Sequence, residues 1–300
     1  MVKLKLKGRT QDIIYTTVVY VCLSAILMFI LYPLVYVVSA SFTEANDVLS
    51  GKMVLFPTSF TLATYQKIFA YKDIWTGFAN SAFYVIVGTA LSLFCTLTAA
   101  YPLSRRDFVL KGFIMKVYAV TLFFGGGLIP YFLVVKGLGM YNSRFSQIIP
   151  SAVSVWNIVL VRTYFLMNIP NDLLDAAKVD GCNNLRFFVQ IALPLSTPII
   201  AVMIMYYGLG KWNSYFDALI FLDSPSKYPL SLILRTLLVG SQMDQITGGS
   251  VGGSDMVEQL NAIEGMKYGV IVVASVPMVV LCTMTQKYFQ KGIMVGSLKG

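Results

Sequence analysis

Long uncharged runs of apolar residues alternate with short polar segments along the whole chain. A helix needs about 20 apolar residues to cross the hydrocarbon core of a bilayer, and six segments meet or approach that length. We therefore expect an all-α membrane protein, a single domain over residues 1–300, with six transmembrane helices at about residues 13–38, 78–104, 112–135, 145–168, 191–222 and 268–289.

Two apolar segments depart from a simple span. Gly125, Gly126 and Gly127 lie inside the third run together with Pro130. Such a cluster predicts either a bend in the helix or a close helix contact. The segment 228–243 is short and is split by Arg235, so it is predicted as an interfacial or extracellular helix, with a seventh span as the alternative.

Composition supports the membrane class. Hydrophobic residues make up 57% of the chain, charged residues 12%, and the mean hydropathy is +0.71, whereas soluble domains carry about 25% charged residues. The formal net charge is +9, but the basic residues flank apolar segments and so report orientation rather than nucleic-acid binding. No histidine is present and the four cysteines are scattered, so neither a metal site nor a disulfide framework is expected.

The distribution of lysine and arginine predicts the orientation. Basic residues are more numerous at the N-terminus, after the second span, in segment 170–194 and in the tail than on the opposite side. By the positive-inside rule these parts face the cytoplasm, as do both termini, and the loop 223–267 is extracellular. The Gly/Ser-rich stretch 246–255 in that loop reads either as a linker or as a mobile loop that touches an external partner.

Segment 170–194 is polar in an otherwise apolar region. Pro170 suits a helix start, Asn171 or Asp172 could cap that helix, and Gly181 suits the left-handed turn that ends it. Asn183 could cap a second helix, so a cytoplasmic helix–turn–helix is predicted. Two interpretations remain open on physical grounds: a rigid knob that transmits displacement from a soluble partner, or an amphipathic helix lying on the membrane.

The stretch DAAKVDGCNNLRFFVQIALPLSTP, which begins at Asp175, resembles the EAA loop of ABC importer permeases. Its elements are Asp175-Ala176-Ala177, Asp180-Gly181 and Ile191-Ala192-Leu193-Pro194, with aspartate where the family has glutamate and Cys182 where alanine is usual. The stretches Phe123–Ser143, Trp212–Leu222 and Gln286–Gly300 resemble the LplC/YtcP-type branch of the carbohydrate permeases, which is more distantly similar to the maltose permease.

This resemblance implies a type I ABC importer permease fold and a non-catalytic subunit of an ATP-driven oligosaccharide importer. The implied partners are a second permease subunit, an ATPase dimer that binds ATP and Mg²⁺, and an extracellular solute-binding protein. The chain itself has no GxxxxGK[ST] phosphate loop. The implied location of the protein is the bacterial cell membrane, with a coupling helix on the cytoplasmic side. The residues implied to couple to the ATPase are Asp175, Ala176, Ala177, Asp180, Gly181, Leu193 and Pro194.

Polar and aromatic residues inside the spans are the candidates for contact with substrate, because sugars are held by polar side chains and aromatic faces. They are Asn157, Tyr164, Tyr206, Tyr207, Trp212, Asn213 and Tyr215. Lys211 and Asp217 are charged and lie in the fifth span, where they could pair or mark a part of the helix that is lined by water. Because residues six positions apart do not share a helix face, each is expected to find a partner elsewhere.

Three other functions stay open on the residues. A permease for amino acids, peptides or other solutes would use the same mechanism. An ion-coupled secondary carrier usually places acids in the middle of the membrane, and Asp217 is the one candidate in the predicted spans. A membrane-bound enzyme is disfavoured because no clustered catalytic set is present.

Overall fold

Helices dominate the computed structural model, which describes residues 3–237 and 266–286, with side chains from Asp12 onward. No strand occurs in these ranges, so the prediction of an all-α fold is confirmed for them. The helices are α1 (Lys3–Ser41), α2 (Ala45–Leu49), α3 (Ala63–Ala70), α4 (Lys72–Ser104), α5 (Lys111–Phe123), α6 (Leu128–Gly137), α7 (Phe145–Ile148), α8 (Val155–Asn168), α9 (Asn171–Val179), α10 (Asn184–Leu195), α11 (Thr197–Trp212), α12 (Phe216–Phe221), α13 (230–237) and α14 (Met266–Gln286).

Three helices of the described ranges are long and apolar enough to cross a bilayer by themselves: α1 from Asp12 onward, α4 and α14. Two further pairs qualify if each is one bent span, α5 with α6 at 117° and α10 with α11 at 79°. Helix α8 has 14 residues, fewer than the roughly 20 that a span needs. Six transmembrane helices therefore remain a prediction, while a multi-pass membrane protein is supported.

The bend between α5 and α6 lies at the glycine cluster, as the sequence predicts. Gly127 takes a left-handed φ of +80° immediately before Leu128, a conformation that glycine adopts without steric cost. A β-carbon added at Gly125, Gly126 or Gly127 would meet no atom within 4 Å, so close helix contact does not explain the cluster within this chain. Of the two interpretations, the bend is the one that the structure supports.

The described residues fall into two compact units. The first contains residues 1–71 and 237–273 as far as they are described. Its polar connection folds around Asp47, whose carboxylate accepts hydrogen bonds from Thr58 and Ser59. Aromatic packing also stabilises this unit. The ring of Phe42 stacks on that of Phe60, with centroids 5.3 Å apart, and lies 5.1 Å from the ring of Tyr65.

The second unit contains residues 72–236 and 274–300 as far as they are described, and it carries the candidate sites. Helix α4 packs against α8 and α11 through an apolar core made of Ala100, Leu103, Ile158, Val161, Phe165, Met203 and Tyr207. A buried hydrogen bond of 2.6 Å joins the hydroxyl groups of Thr96 and Tyr207 across the α4–α11 contact. Three helices therefore form the frame of this unit.

Parts of three sequence predictions lie outside the described residues. They are positions 238–243 of the predicted interfacial helix, the Gly/Ser-rich stretch 246–255, and tail residues 287–300. The described part of the interfacial segment, 230–237, is helical. Its first residue, Leu230, donates its backbone N–H to Ser81 Oγ of α4 at 2.8 Å, so this helix is tied to the second unit.

Candidate functional site

The polar segment after α8 folds into the predicted pair of helices, α9 and α10. Gly181 joins them with a left-handed φ of +76°, and Asn183 caps α10 by accepting the backbone N–H of Arg186 at 2.8 Å. The prediction that Asn171 or Asp172 caps α9 was wrong. Both residues belong to the helix itself, because the extended backbone of Pro170 occupies the cap position.

One side of the helix pair is buried. Leu174 and Ala177 of α9 pack with Phe187 and Ala192 of α10 in a small core of their own. Tyr101, near the end of α4, packs against this core, with its ring centroid 4.7 Å from that of Phe188. The helix pair is thus attached through apolar contacts to the helix that forms the frame of the second unit.

Arg105, just after α4, adds a polar connection to the same pair. Its guanidinium donates to both carboxylate oxygens of Asp107, at 2.9 and 2.6 Å, to the hydroxyl of Tyr101 and to Asn184 Oδ1 at the start of α10. Lys178 of α9 lies 3.8 Å from the same carboxylate. The hydrogen bonds from Arg105 lower the pKa of Asp107 to about 2, so this carboxylate is ionised at physiological pH.

The other side of the helix pair is exposed and combines acidic with apolar groups. Val179 is 88% exposed and Leu185 is 71% exposed, although both are branched aliphatic residues. The candidates Asp175, Ala176, Asp180 and Gly181 lie on this exposed side, Pro194 is exposed further along α10, Leu193 is half-buried, and Ala177 faces the small core.

A polar cavity of about 350 Å³ lies between α4, α7, α8, α11 and α12. Most of its lining residues carry a hydroxyl or amide group, and one cation and one anion are also present. The lining residues are Tyr84, Gln147, Ser151, Ser154, Asn157, Tyr206, Tyr207, Gly210, Lys211, Ser214 and Asp217. Asn157 is 3% exposed, and its Oδ1 has no hydrogen-bond partner among the described residues. Buried polar atoms ordinarily find a partner, so the unpartnered oxygen marks Asn157 as a candidate binding residue.

The structure brings together three of the seven predicted substrate residues, Asn157, Tyr206 and Tyr207, in this cavity. The other four lie outside its lining. The ring of Trp212 packs edge-on against Phe78, and its indole N–H donates to the carbonyl of Ala274 at 3.1 Å. Trp212 therefore holds α11 in place through packing.

The remaining three candidates have neighbours of other kinds. Asn213 caps the C-terminal end of α11, and its side-chain amide donates to the carbonyl of Leu209 at 3.0 Å. The ring of Tyr215 lies 5.5 Å from the guanidinium carbon of Arg235. The hydroxyl of Tyr164 donates to the carbonyl of Leu195, the last residue of α10. These residues stay predictions for substrate contact, outside the cavity.

Lys211 and Asp217 line the same cavity because the helix that would separate them is broken. Helix α11 ends at Trp212 and α12 begins at Phe216. The two charged residues therefore lie on different helices, and the expectation from six positions on one continuous helix does not apply to them. The Nζ of Lys211 donates to Ser151 Oγ at 3.0 Å, which is the partner elsewhere that the sequence led us to expect. In the described part of the chain no ion pair within 4.0 Å joins Lys211 to Asp217.

Sequence reasoning missed the other lining residues. They are Tyr84, Gln147, Ser151, Ser154 and Ser214, all of which lie inside predicted spans. The signal that could have found them is the presence of hydroxyl and amide groups inside these spans, which are functional suspects by default. That signal is shared by other serines and threonines of the spans, such as Ser92, so it does not select the cavity residues by itself.

Comparisons with known proteins agree on one family. The family model described as "Binding-protein-dependent transport system inner membrane component" matches residues 88–294. The polygalacturonan/rhamnogalacturonan transport system permease protein YtcP of Bacillus subtilis (strain 168) is 39% identical over 271 residues, which cover 89% of this chain and 92% of YtcP. Protein LplC of the same strain is 34% identical over 268 residues, 89% of each chain.

A solved structure is similar over nearly the whole length. It belongs to a bacterial ABC transporter involved in the import of the acidic polysaccharide alginate. The TM-score is 0.83 at 29% sequence identity, with 93% of this chain and 98% of the other chain covered. The fold is therefore that of a type I ABC importer permease, as the resemblance of the EAA-like segment implied.

Proposed function

Because this chain belongs to the family of binding-protein-dependent transport system inner membrane components, we propose that it forms one half of the translocation pathway of an ATP-driven oligosaccharide importer. A second permease subunit forms the other half, an ATPase dimer binds ATP and Mg²⁺ on the cytoplasmic side, and an extracellular solute-binding protein delivers the substrate. The chain is a non-catalytic subunit of the bacterial cell membrane, with six spans and with both termini in the cytoplasm.

One observation carries this proposal: the exposed helix pair and the polar cavity are attached to the same helices. Helix α4 contacts the pair through Tyr101 and lines the cavity with Tyr84. Helix α11 begins two residues after α10 and reaches the cavity at Lys211. Its 14 residue steps from Thr197 to Lys211 correspond to about 21 Å of helix. A displacement of the pair can therefore reach the cavity through rigid elements.

In the proposed mechanism, α9 and the turn at Gly181 dock into a cleft of one ATPase subunit. The exposed carboxylates and the aliphatic side chains of Val179 and Leu185 supply the contact. Closure of the ATPase dimer on ATP draws the two docked helix pairs together and opens the pathway outward, and hydrolysis reverses the movement. The equilibrium shifts because the two states differ in affinity for ATP and for the loaded binding protein.

An oligosaccharide is the proposed substrate for two reasons. The relative YtcP belongs to a polygalacturonan/rhamnogalacturonan transport system, and the similar solved structure belongs to a transporter involved in the import of alginate. The cavity, moreover, offers hydroxyl, amide and phenol groups, which suit the many hydroxyl groups of a sugar. Its volume of about 350 Å³ is at the lower end of ordinary ligand pockets, which suits the passage of one or two sugar rings at a time through this half of the pathway.

The test is uptake and assembly in a complex expressed with its ATPase, its second permease and its binding protein. Asp175→Lys reverses a charge on the proposed docking face, and Gly181→Trp places a large ring in the turn. We expect both variants to abolish oligosaccharide uptake and to lower recovery of the ATPase with the membrane subunits. Sugar uptake by cells that lack any ATPase partner would contradict the importer mechanism and favour an ion-coupled carrier.

Two matched variants control for the substitutions themselves. Asp73→Lys makes the same charge reversal at an exposed position in the first turn of α4. Gly139→Trp introduces the same ring at another left-handed glycine, with φ +71° against +76° at Gly181, and neither glycine has an atom within 4 Å of an added β-carbon. We expect both control complexes to retain uptake and the ATPase. Equal losses in test and control variants would remove the docking role.

A further inference from the structure

Lys211 brings a positive charge into the cavity, and Asp217 acts on it only from beyond ion-pair distance. Its side chain is almost buried, with 8% of the residue exposed, and its ammonium makes one hydrogen bond, to the hydroxyl of Ser151, among the described residues. An ammonium group has three N–H donors, and burying a charge is costly unless an opposite charge compensates for it. No carboxylate of the described residues lies within 4.0 Å of it.

The packing around Lys211 fixes where this ammonium points. The lysine stem crosses Gly88 of α4 so closely that an added β-carbon would lie 2.4 Å from Lys211 Cδ and 2.9 Å from Nζ. Glycine at this position therefore makes room for the lysine, and the hydrogen bond to Ser151 orients its ammonium. A charged side chain held in this way, in a cavity that is also lined by Asn157, is preorganised for a ligand.

We propose that Lys211 is the specificity-determining residue of the cavity and binds the carboxylate of an acidic oligosaccharide during translocation. The inference rests on the proposed function and adds the chemical class of the sugar. A carboxylate supplies the missing counter-charge and forms the short, charge-assisted hydrogen bonds that a neutral hydroxyl does not. The side-chain amide of Asn157, which also lines the cavity, then forms a hydrogen bond with a hydroxyl group of the same sugar.

Asp217 sets the orientation of that sugar. It lines the same cavity, beyond ion-pair distance from Lys211 but within reach of its charge, so a sugar in the cavity meets one positive and one negative group. A carboxylate is attracted to Lys211 and repelled by Asp217, whereas sugar hydroxyls donate to Asp217. The two charged residues are therefore expected to respond in opposite ways to removal of charge.

The test uses the assembled complex in proteoliposomes with two trisaccharide probes of similar size, trigalacturonate and its fully methyl-esterified, neutral form. Uptake of each probe by each variant is divided by wild-type uptake of the same probe, which cancels the preference of the binding protein. Binding of both probes to the purified complex without binding protein provides a second measurement that does not depend on delivery.

We expect Lys211→Gln to lower uptake and binding of trigalacturonate by about tenfold or more, as loss of a hydrogen-bonded charge pair implies, and those of the ester by less than about threefold. Asp217→Asn, which removes the repulsion of a carboxylate, should raise the ratio of trigalacturonate uptake to ester uptake, opposite to the effect of Lys211→Gln. Gly88→Ala, which displaces the lysine stem, and Ser151→Ala, which removes its partner, should each reproduce part of the Lys211→Gln effect.

Several results would overturn the inference. Equal losses for both probes in Lys211→Gln would show a purely structural lysine, and no loss for either would show a lysine without a role in transport. A wild-type complex that carries the ester but not trigalacturonate would contradict the acidic class while leaving the proposed importer intact. A complex that takes up no saccharide of any kind would instead contradict the proposed function.

Discussion

The helix pair α9–α10 and the polar cavity are built in opposite ways. The pair comes from one continuous segment, buries its own small core and satisfies its turn and cap locally through Gly181 and Asn183. The cavity draws its lining from five helices and leaves Asn157 Oδ1 unpartnered and Lys211 without a counter-charge within 4.0 Å in the described residues. The first region therefore satisfies its turn and cap from within one segment, whereas the second leaves polar groups without a partner, as the proposed ligand site requires.

The largest effect that separates the two regions is expected at Phe187, which is 1% exposed. Phe187→Ala removes a fully buried ring from the core of the pair, and such changes cost about 3–5 kcal/mol. Hydrogen exchange on the assembled complex should show residues 171–195 losing protection, and uptake should fall. Probe binding to the cavity in the purified complex should stay close to that of the wild type.

Leu185→Ala is the control within the same helix. Leu185 is 71% exposed, so its loss should change the free energy of unfolding by no more than about 0.5 kcal/mol. If the exposed side docks the ATPase, this variant lowers ATPase recovery without loss of hydrogen-exchange protection. Equal destabilisation by both variants would mean that the pair has no distinct buried and docking sides.

A smaller effect is expected within the cavity, where framework and ligand groups lie side by side. Tyr207→Phe breaks the 2.6 Å hydrogen bond to Thr96 and leaves that buried hydroxyl unpaired, at a cost of about 1–3 kcal/mol. Tyr206 is half exposed and has no hydrogen bond in the described residues, so Tyr206→Phe should leave thermal unfolding of the purified complex nearly unchanged. Only its effect on probe binding should be measurable.

This pair of tyrosines also tests the separation of roles. Both residues line the cavity and both were candidates for substrate contact. If Tyr206→Phe lowers the unfolding temperature as much as Tyr207→Phe does, Tyr206 belongs to the framework. If neither variant changes probe binding, the sugar does not pass along this wall.

The difference between the regions also explains how far the sequence could predict them. For the helix pair, residue order within a single stretch carries the information: Pro170 before the helix, Gly181 at the turn, Asn183 at the second cap. Turn and cap chemistry acts over three or four residues, so it can be read directly. The cap of α9 was nevertheless misassigned, because the helix starts one residue earlier than polar side chains alone indicate.

The cavity could be predicted only in part, since it depends on which helix faces meet. Asn157, Tyr206 and Tyr207 were found as polar groups in spans, but Trp212 was not distinguishable from them by sequence. Its indole N–H donates to the backbone carbonyl of Ala274 on α14, 62 positions further along the chain. Such a contact depends on how the helices pack and cannot be read from the local sequence. Lys211 and Asp217 line one cavity because the chain breaks between α11 and α12, and the sequence analysis assumed one continuous helix there.

The smallest effect is expected at the connection between the helix pair and α4, where Asp107 accepts from Arg105. The pKa of this carboxyl is lowered to about 2, from about 3.9 in an unfolded chain, chiefly by its hydrogen bonds to Arg105. A lowered pKa means that the stabilisation is fully present above pH 4 and is lost as the pH falls through 2. Between pH 5 and 8 the connection should therefore not change, and uptake should not titrate with this group.

Asp107→Asn should cost little, because the carboxylate is about half exposed and solvent screens its charge. Arg105 keeps its hydrogen bonds to Tyr101 and Asn184, so the packed contact of Tyr101 with Phe188 still holds the pair against α4. We expect uptake within about twofold of wild type across pH 5–8. A loss comparable to that of Asp175→Lys would mean that the ion pair, rather than the aromatic packing, transmits the movement of the helix pair to α4.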